Sequence, residues 1–103
     1  MTTNPGLEDK ADEVRRVLAG LANSRRLLIL CHLLREGETP VSGLLEVSGL
    51  SQSALSQHLA MMRMEGLVRT RKQGQSVFYS IGDSRVTALM ASLEAIFCPV
   101  EAN

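Results

Sequence analysis

Apolar residues recur along this chain in short blocks whose spacing predicts five helices and a hairpin. From about Glu8 to Leu21, the residues Ala11, Val14, Val17, Leu18 and Leu21 fall at helical steps and form one stripe. Asn23 and Ser24 offer oxygens able to cap a second helix over about 24–35. Its Leu27, Leu28, Ile29, Leu30, Cys31, Leu33 and Leu34 are so continuous that it belongs at the centre of the fold. Gly37 and Thr39-Pro40 end it. A short helix over 41–48 turns Val41, Leu44, Leu45 and Val47 inward. Gly49 and Leu50 make a tight turn, and Ser51 can cap the next helix, about 52–65. There Leu55, Leu59 and Met62 share a buried face, while Ser53, Ser56, Gln57, Ala60 and Arg63 occupy a small, polar one. Two short helices joined by a glycine-containing turn, the second with a polar face, meet the needs of a helix-turn-helix.

Two β-prone segments follow, Leu67–Lys72 and Ser76–Ile81, separated by Gln73-Gly74-Gln75, and read as a hairpin. Asp83 and Ser84 then cap a helix reaching about Cys98, which Pro99 ends. The expected fold is mainly α with a β-hairpin, in the order α-α-α-α-β-β-α. Residues 1–7 read as a flexible tail, 8–99 as one winged helix-turn-helix domain, and 100–103 as a second tail.

Composition agrees with a small helical domain. The 103 residues suffice for one core, and with aromatics at 3% and no Trp that core rests on Leu, Val, Ile, Met and Ala. No apolar run approaches the roughly 20 residues that span a bilayer, and the polar start lacks a secretory pattern, so no membrane and a cytoplasmic location are expected. The formal net charge is zero, yet residues 51–80 hold Arg63, Arg69, Arg71 and Lys72 against Glu65 alone. That basic segment can face phosphate, or can simply be a solvated strand. No nucleophile–base–carboxylate set and no phosphate loop is present, so an enzyme is not expected.

The order of elements, with Leu21-Ala22-Asn23-Ser24-Arg25-Arg26-Leu27-Leu28-Ile29-Leu30, Leu50-Ser51-Gln52-Ser53-Ala54-Leu55-Ser56-Gln57-His58-Leu59, Glu65-Gly66-Leu67-Val68 and Val77-Phe78-Tyr79-Ser80, resembles the ArsR/SmtB family of bacterial winged-helix repressors. The resemblance spans nearly the whole chain. It is strongest to the HlyU/BigR-like branch, which carries one cysteine in the second helix and another near the end of the last.

A DNA partner implies specific contacts. Ser53, Ser56 and Gln57 are spaced to enter one major groove, and Gln can pair bidentately with adenine. Gln52 and Ser53, at the helix start, also suit phosphate. His58 has two readings, a hydrogen-bonded link between helices or, by the resemblance, a neighbour of the DNA. Arg63, Arg69, Arg71, Lys72 and Gln75 are assigned to backbone or minor-groove contacts. One module with so few contacts binds weakly, so a homodimer on an inverted-repeat operator is expected, its half-sites about 34 Å apart. Two apolar seams, Val14/Val17/Leu18/Leu21 and Val86/Leu89/Met90/Leu93/Ile96/Phe97, exceed what so small a core can cover. In the family these helices form the dimer interface.

Cys31, Cys98, His32 and His58 are the only Cys or His side chains, too few and too scattered for zinc. His32 points about 100° away from Cys31 on the same helix. The third helix lacks the Cys-x-Cys and the last helix the His that the family's metal sites use, so no metal and no cofactor are expected. Taken by themselves, Cys31 and Cys98 read as two small buried hydrophobes, the commonest fate of such cysteines. The resemblance instead implies a thiol switch, controlled by an oxidant or reactive sulfur species. Arg35, one turn after Cys31, favours Cys31 as the attacking thiolate, with Cys98 resolving. The remaining alternative is a regulator of the same fold with inert cysteines, answering to a metal or other ligand or acting as an antirepressor.

Overall fold

The computed structural model describes residues 6–99. A 3-10 turn, Leu7–Lys10, leads into α1 (Ala11–Leu21), then α2 (Ser24–Glu36), β1 (Thr39–Pro40), α3 (Val41–Ser48), α4 (Gln52–Met64), β2 (Val68–Gln73), β3 (Ser76–Ile81) and α5 (Ser84–Phe97). The expected tails lie outside the described residues at 1–5 and 100–103. Gly6 and Leu7, placed in the first tail by pattern, open the 3-10 turn, where the Gly6 N–H donates to the Asp9 carboxylate at 3.3 Å.

Helix starts fall where short polar side chains can accept orphan N–H groups. Asn23 Oδ1 accepts from the N–H of Arg25 and Arg26 at 2.9 and 3.1 Å. Ser51 Oγ accepts from Ala54 at 3.2 Å, and Asp83 Oδ1 from Arg85 at 2.8 Å. The turn between α3 and α4 is fixed from both sides. Gly49 takes φ +67°, a conformation that costs a residue with a Cβ. Beneath it the buried Ser48 hydroxyl donates to Leu45 O and accepts from Leu50 N–H, both at 3.3 Å. Arg25 Nη1 reaches across from α2 to Ser48 O at 3.0 Å.

The sheet holds three antiparallel strands in the order β1-β3-β2. Val68 pairs with Ile81 and Gln73 with Ser76, leaving Gly74-Gln75 as a two-residue turn. The third strand, β1, was not expected: Thr39 pairs with Tyr79 and Pro40 with Phe78 on the free edge of β3. Two residues ending in Pro give no alternating pattern, and an edge is where a missing N–H is tolerated.

The core gathers Leu21 from α1, Ile29, Leu30 and Leu33 from α2, Leu44 from α3, Leu55, Leu59 and Met62 from α4, Leu67 and Val68, and Val86 and Met90 from α5. This corrects the expected seams. Leu21, Val86 and Met90 are 4%, 0% and 2% exposed, so their side chains are taken up by the chain's own core. Among the described residues, no single helix is long and apolar enough to cross a membrane.

Candidate nucleic-acid interface

The α4 helix divides cleanly by angle. Leu55, Leu59 and Met62 point into the core, while Gln52, Ser53, Ser56, Gln57, Ala60 and Arg63 are exposed. At about 100° per residue the exposed set forms one continuous arc that begins beside the buried stripe at Gln52 and runs round to the far side of the helix at Gln57. His58 lies on the opposite flank of the buried stripe from that arc. It is half-buried, and its Nδ1 accepts from Arg26 Nε at 3.3 Å. The structure thus displays the hydrogen-bonded link between helices that is one of the two readings of His58.

The wing presents Arg69, Arg71, Lys72 and Gln75, all exposed. Arg69 Nε donates to Ser80 Oγ at 3.4 Å across the strand pair. Arg71 is the most engaged of the four. Its Nε and Nη2 donate to both carboxylate oxygens of Glu38 at 2.8 Å, and Nη1 donates to Gln73 Oε1 at 2.9 Å. The guanidinium also lies 5.1 Å from the Phe78 ring centroid. Hydrogen bonding from Arg71 holds the Glu38 carboxyl below its ordinary pKa, and Glu38 raises that of Arg71. Glu38 escaped sequence reasoning because its partner lies 33 positions away and no pattern links the two.

The cysteines occupy unlike surroundings. Cys31 is half-buried and packed against the core on α2, whereas Cys98 is exposed at the end of α5. Cys98 N–H donates to Glu94 O at 2.8 Å. Both thiols are free. An ion pair, Arg35 Nη2 to Glu94 Oε1 at 3.7 Å, joins the two helices one turn from each cysteine. The guanidinium expected to favour a Cys31 thiolate is thus shared with a carboxylate. Among the described residues, no three Cys, His, Asp or Glu side chains converge as a metal site would require.

Of the seam residues, Val14, Val17, Leu89 and Leu93 are half-buried, and Leu18, Ile96 and Phe97 are 48%, 68% and 75% exposed. An open groove of about 440 Å³ runs beside α1, lined by Leu7, Ala11, Val14, Leu18, Ala19 and Ala22 with Arg15. Leu7, placed in a tail by sequence, adds to this apolar surface at 71% exposure.

Comparison with known proteins bears on all of these features. Residues 23–70 match the family model described as "Bacterial regulatory protein, arsR family". The chain is 39% identical over 99 residues to the HTH-type transcriptional regulator YgaV of Escherichia coli, covering 96% of this chain and 100% of that one. It is 49% identical over 82 residues to the transcriptional activator HlyU of Vibrio cholerae, covering 80% and 75%. The structure of reduced HlyU from Vibrio cholerae superposes with a TM-score of 0.82 at 44% identity, covering 89% of this chain and 96% of that one. The transcriptional repressor BigR from Xylella fastidiosa superposes with a TM-score of 0.81 at 36% identity, covering 89% and 93%.

Proposed function

The chain belongs to the ArsR family of bacterial transcriptional regulators, and from that premise we propose that it is a dimeric repressor whose grip on an inverted-repeat operator is set by Cys31 and Cys98. The observation that carries the DNA-binding part is the exposed polar arc of α4, Gln52, Ser53, Ser56, Gln57 and Arg63, running from the edge of a fully packed stripe to the far side of the helix. In this reading Ser53, Ser56 and Gln57 meet base edges, Gln52 meets phosphate, and Arg63, Arg69, Lys72 and Gln75 hold the backbone. Arg71 joins them only when it leaves Glu38.

Two copies associate through the exposed part of α1 and α5, namely Leu18, Ile96 and Phe97 with the half-buried Val14, Val17, Leu89 and Leu93. This surface suits a second copy because an isologous contact buries the same apolar patch twice.

For the switch, the Cys31 sulfur attacks a peroxide, giving Cys31–SOH and water. Cys98 then displaces the hydroxyl, which leaves as water, and an S–S bond forms. A persulfide donor gives Cys31–S–SH instead, and attack by Cys98 at the inner sulfur releases hydrogen sulfide. The Arg35–Glu94 pair shows that α2 and α5 approach one turn from both thiols. Cross-linking there shifts α5, and with it the partner copy and its reading helix.

Binding of the operator by reduced, peroxide-treated and persulfide-treated protein, beside Cys31→Ser and Cys98→Ser, tests this reading. The treated wild type is expected to release DNA while each serine variant stays bound. Equal affinity in every state would leave a DNA-binding regulator with inert cysteines. Alkylation rates of the two single-cysteine proteins fix the order of attack, and faster labelling at Cys98 reverses it.

A further inference from the structure

Arg25 and Arg26 sit in the first turn of α2, the end of a helix where the dipole disfavours a cation. Each is held there by acceptors from another element. Arg25 serves the helix-turn-helix turn through Ser48 O. Arg26 does something different.

Its side chain is only 11% exposed and it touches α4 at three successive places along one flank. Nε donates to His58 Nδ1 at 3.3 Å, Nη2 lies 3.9 Å from Met61 Sδ, and Nη1 is 3.5 Å from Glu65 Oε2. Positions 58, 61 and 65 are three and four residues apart, so one guanidinium spans two turns of the flank of α4. Nη1 also donates to Gly20 O, in the last turn of α1, at 3.3 Å. The end of α1 is pressed against the same place: a Cβ on Gly20 would lie 2.6 Å from Leu67 Cδ1 and 3.0 Å from Glu65 Oε2. One buried cation therefore ties α2, the end of α1 and the flank of α4 together.

We propose that Arg26 is the positioning residue that sets the roll of α4, acting through His58, whose Nδ1 it occupies. This rests on the assignment of α4 as the groove-entering helix. The logic is geometric. The buried stripe of Leu55, Leu59 and Met62 fixes which face of the helix packs on the core, and directional bonds to one flank fix its angle more finely. A rotation of α4 by even a fraction of the spacing between neighbouring side chains moves Ser53, Ser56 and Gln57 off their base edges. Because Nδ1 must offer a lone pair to Arg26 Nε–H, the ring proton is held on Nε2. Arg26 itself does not touch DNA.

The experiment uses the full chain and a duplex that the wild type enriches from a random pool. Affinity and its salt dependence are measured for Arg26→Gln, His58→Gln and His58→Asn, with thermal melts of each. The Asn carboxamide oxygen falls near the place of Nδ1, while that of Gln falls near Nε2. Arg26→Gln and His58→Gln are each expected to bind about tenfold more weakly, and His58→Asn within about threefold of wild type. The salt slope of Arg26→Gln should equal that of wild type, since no phosphate contact is removed. In the ¹⁵N spectrum of the wild type at pH 8, His58 should carry its proton on Nε2, whatever the DNA result.

Several outcomes overturn the assignment. A salt slope smaller by about 1 in Arg26→Gln would make Arg26 a phosphate contact. Retention by His58→Gln with loss by His58→Asn would make Nε2 the working atom, and equal affinity throughout would remove any positioning role. A wild type that enriches no duplex would remove the groove assignment, and this inference with it.

Discussion

The α3–α4 pair and the α1–α5 face are both built from amphipathic helices, yet their apolar stripes end in different conditions. Around α4 each apolar side chain of the stripe has a partner inside the protomer: Leu55, Leu59 and Met62 are 0%, 2% and 0% exposed. Its flank is bonded to Arg26, its start is capped by Ser51, and the polar arc is left to solvent together with Met61 and Met64 near the helix end, 51% and 86% exposed. On the α1–α5 face the stripe splits. Leu21, Val86 and Met90 are buried, while Leu18, Ile96 and Phe97 stay in water. A helix whose buried stripe is complete needs no second molecule to cover that stripe. One whose stripe is left partly exposed still has apolar surface to bury, which the proposed second copy would cover.

That contrast can be broken most forcefully at Phe97 and Leu55. Phe97→Asp adds a charge to the exposed patch, and in an isologous dimer it does so twice. Association is expected to weaken by about 3 kcal/mol or more, read as a shift from dimer to monomer in sedimentation equilibrium, with the helical circular dichroism kept. Leu55→Ala should do the reverse. It removes buried methyl groups from a site that cannot collapse fully, at a cost of about 3 kcal/mol in denaturant unfolding. If Phe97→Asp unfolds the protomer instead, or leaves a dimer intact, the two faces do not differ in the way described.

Sequence made the locally determined parts legible and the long-range parts opaque. The caps Asn23, Ser51 and Asp83, the boundaries of α3 and the position of the hairpin turn all follow from residues within four positions of one another. The polar arc of α4 was legible for the same reason. His58 was left with two readings because its partner, Arg26, is 32 positions distant. The Glu38–Arg71 pair and the edge strand Thr39–Pro40 were hidden likewise, since each depends on a meeting of segments more than 30 residues apart. Periodicity placed Val86 and Ile96 in one seam. It could not say that the near half of that seam faces its own core and the far half faces outward.

A middle-sized effect tests the local end of this argument. Asn23 caps α2 through two bonds from Oδ1, at 2.9 and 3.1 Å. Asn23→Ala leaves those N–H groups to water and should cost about 1 kcal/mol in denaturant unfolding. Because α2 carries Arg25 and Arg26 at this end, operator binding should weaken with it. A stability loss with no change in affinity would mean that the start of α2 can fray without disturbing α4.

The smallest expected effect lies on the wing, where the polar surface is not simply free. Glu38 meets Arg71 with two 2.8 Å bonds, the same bidentate geometry a phosphate would offer. Both groups are well exposed, so the pair contributes little to folding. What it does is occupy a cation that lies in the basic segment next to the wing turn. The Glu38 carboxyl has its pKa lowered by this bond, so the pair is intact above the ordinary carboxylate range and is lost only as pH falls through the lowered value. At neutral pH the competition is therefore always present. Glu38→Gln replaces the anion with an amide that cannot match it, and Arg71 is released toward the DNA backbone. Affinity should rise by about two- to fivefold for operator and unrelated duplex alike, and the salt slope should steepen by about 1. A loss of affinity in Glu38→Gln would mean that Glu38 aims Arg71 at the phosphate rather than withholding it, and the wing would then resemble α4, a polar surface held in place by an internal partner.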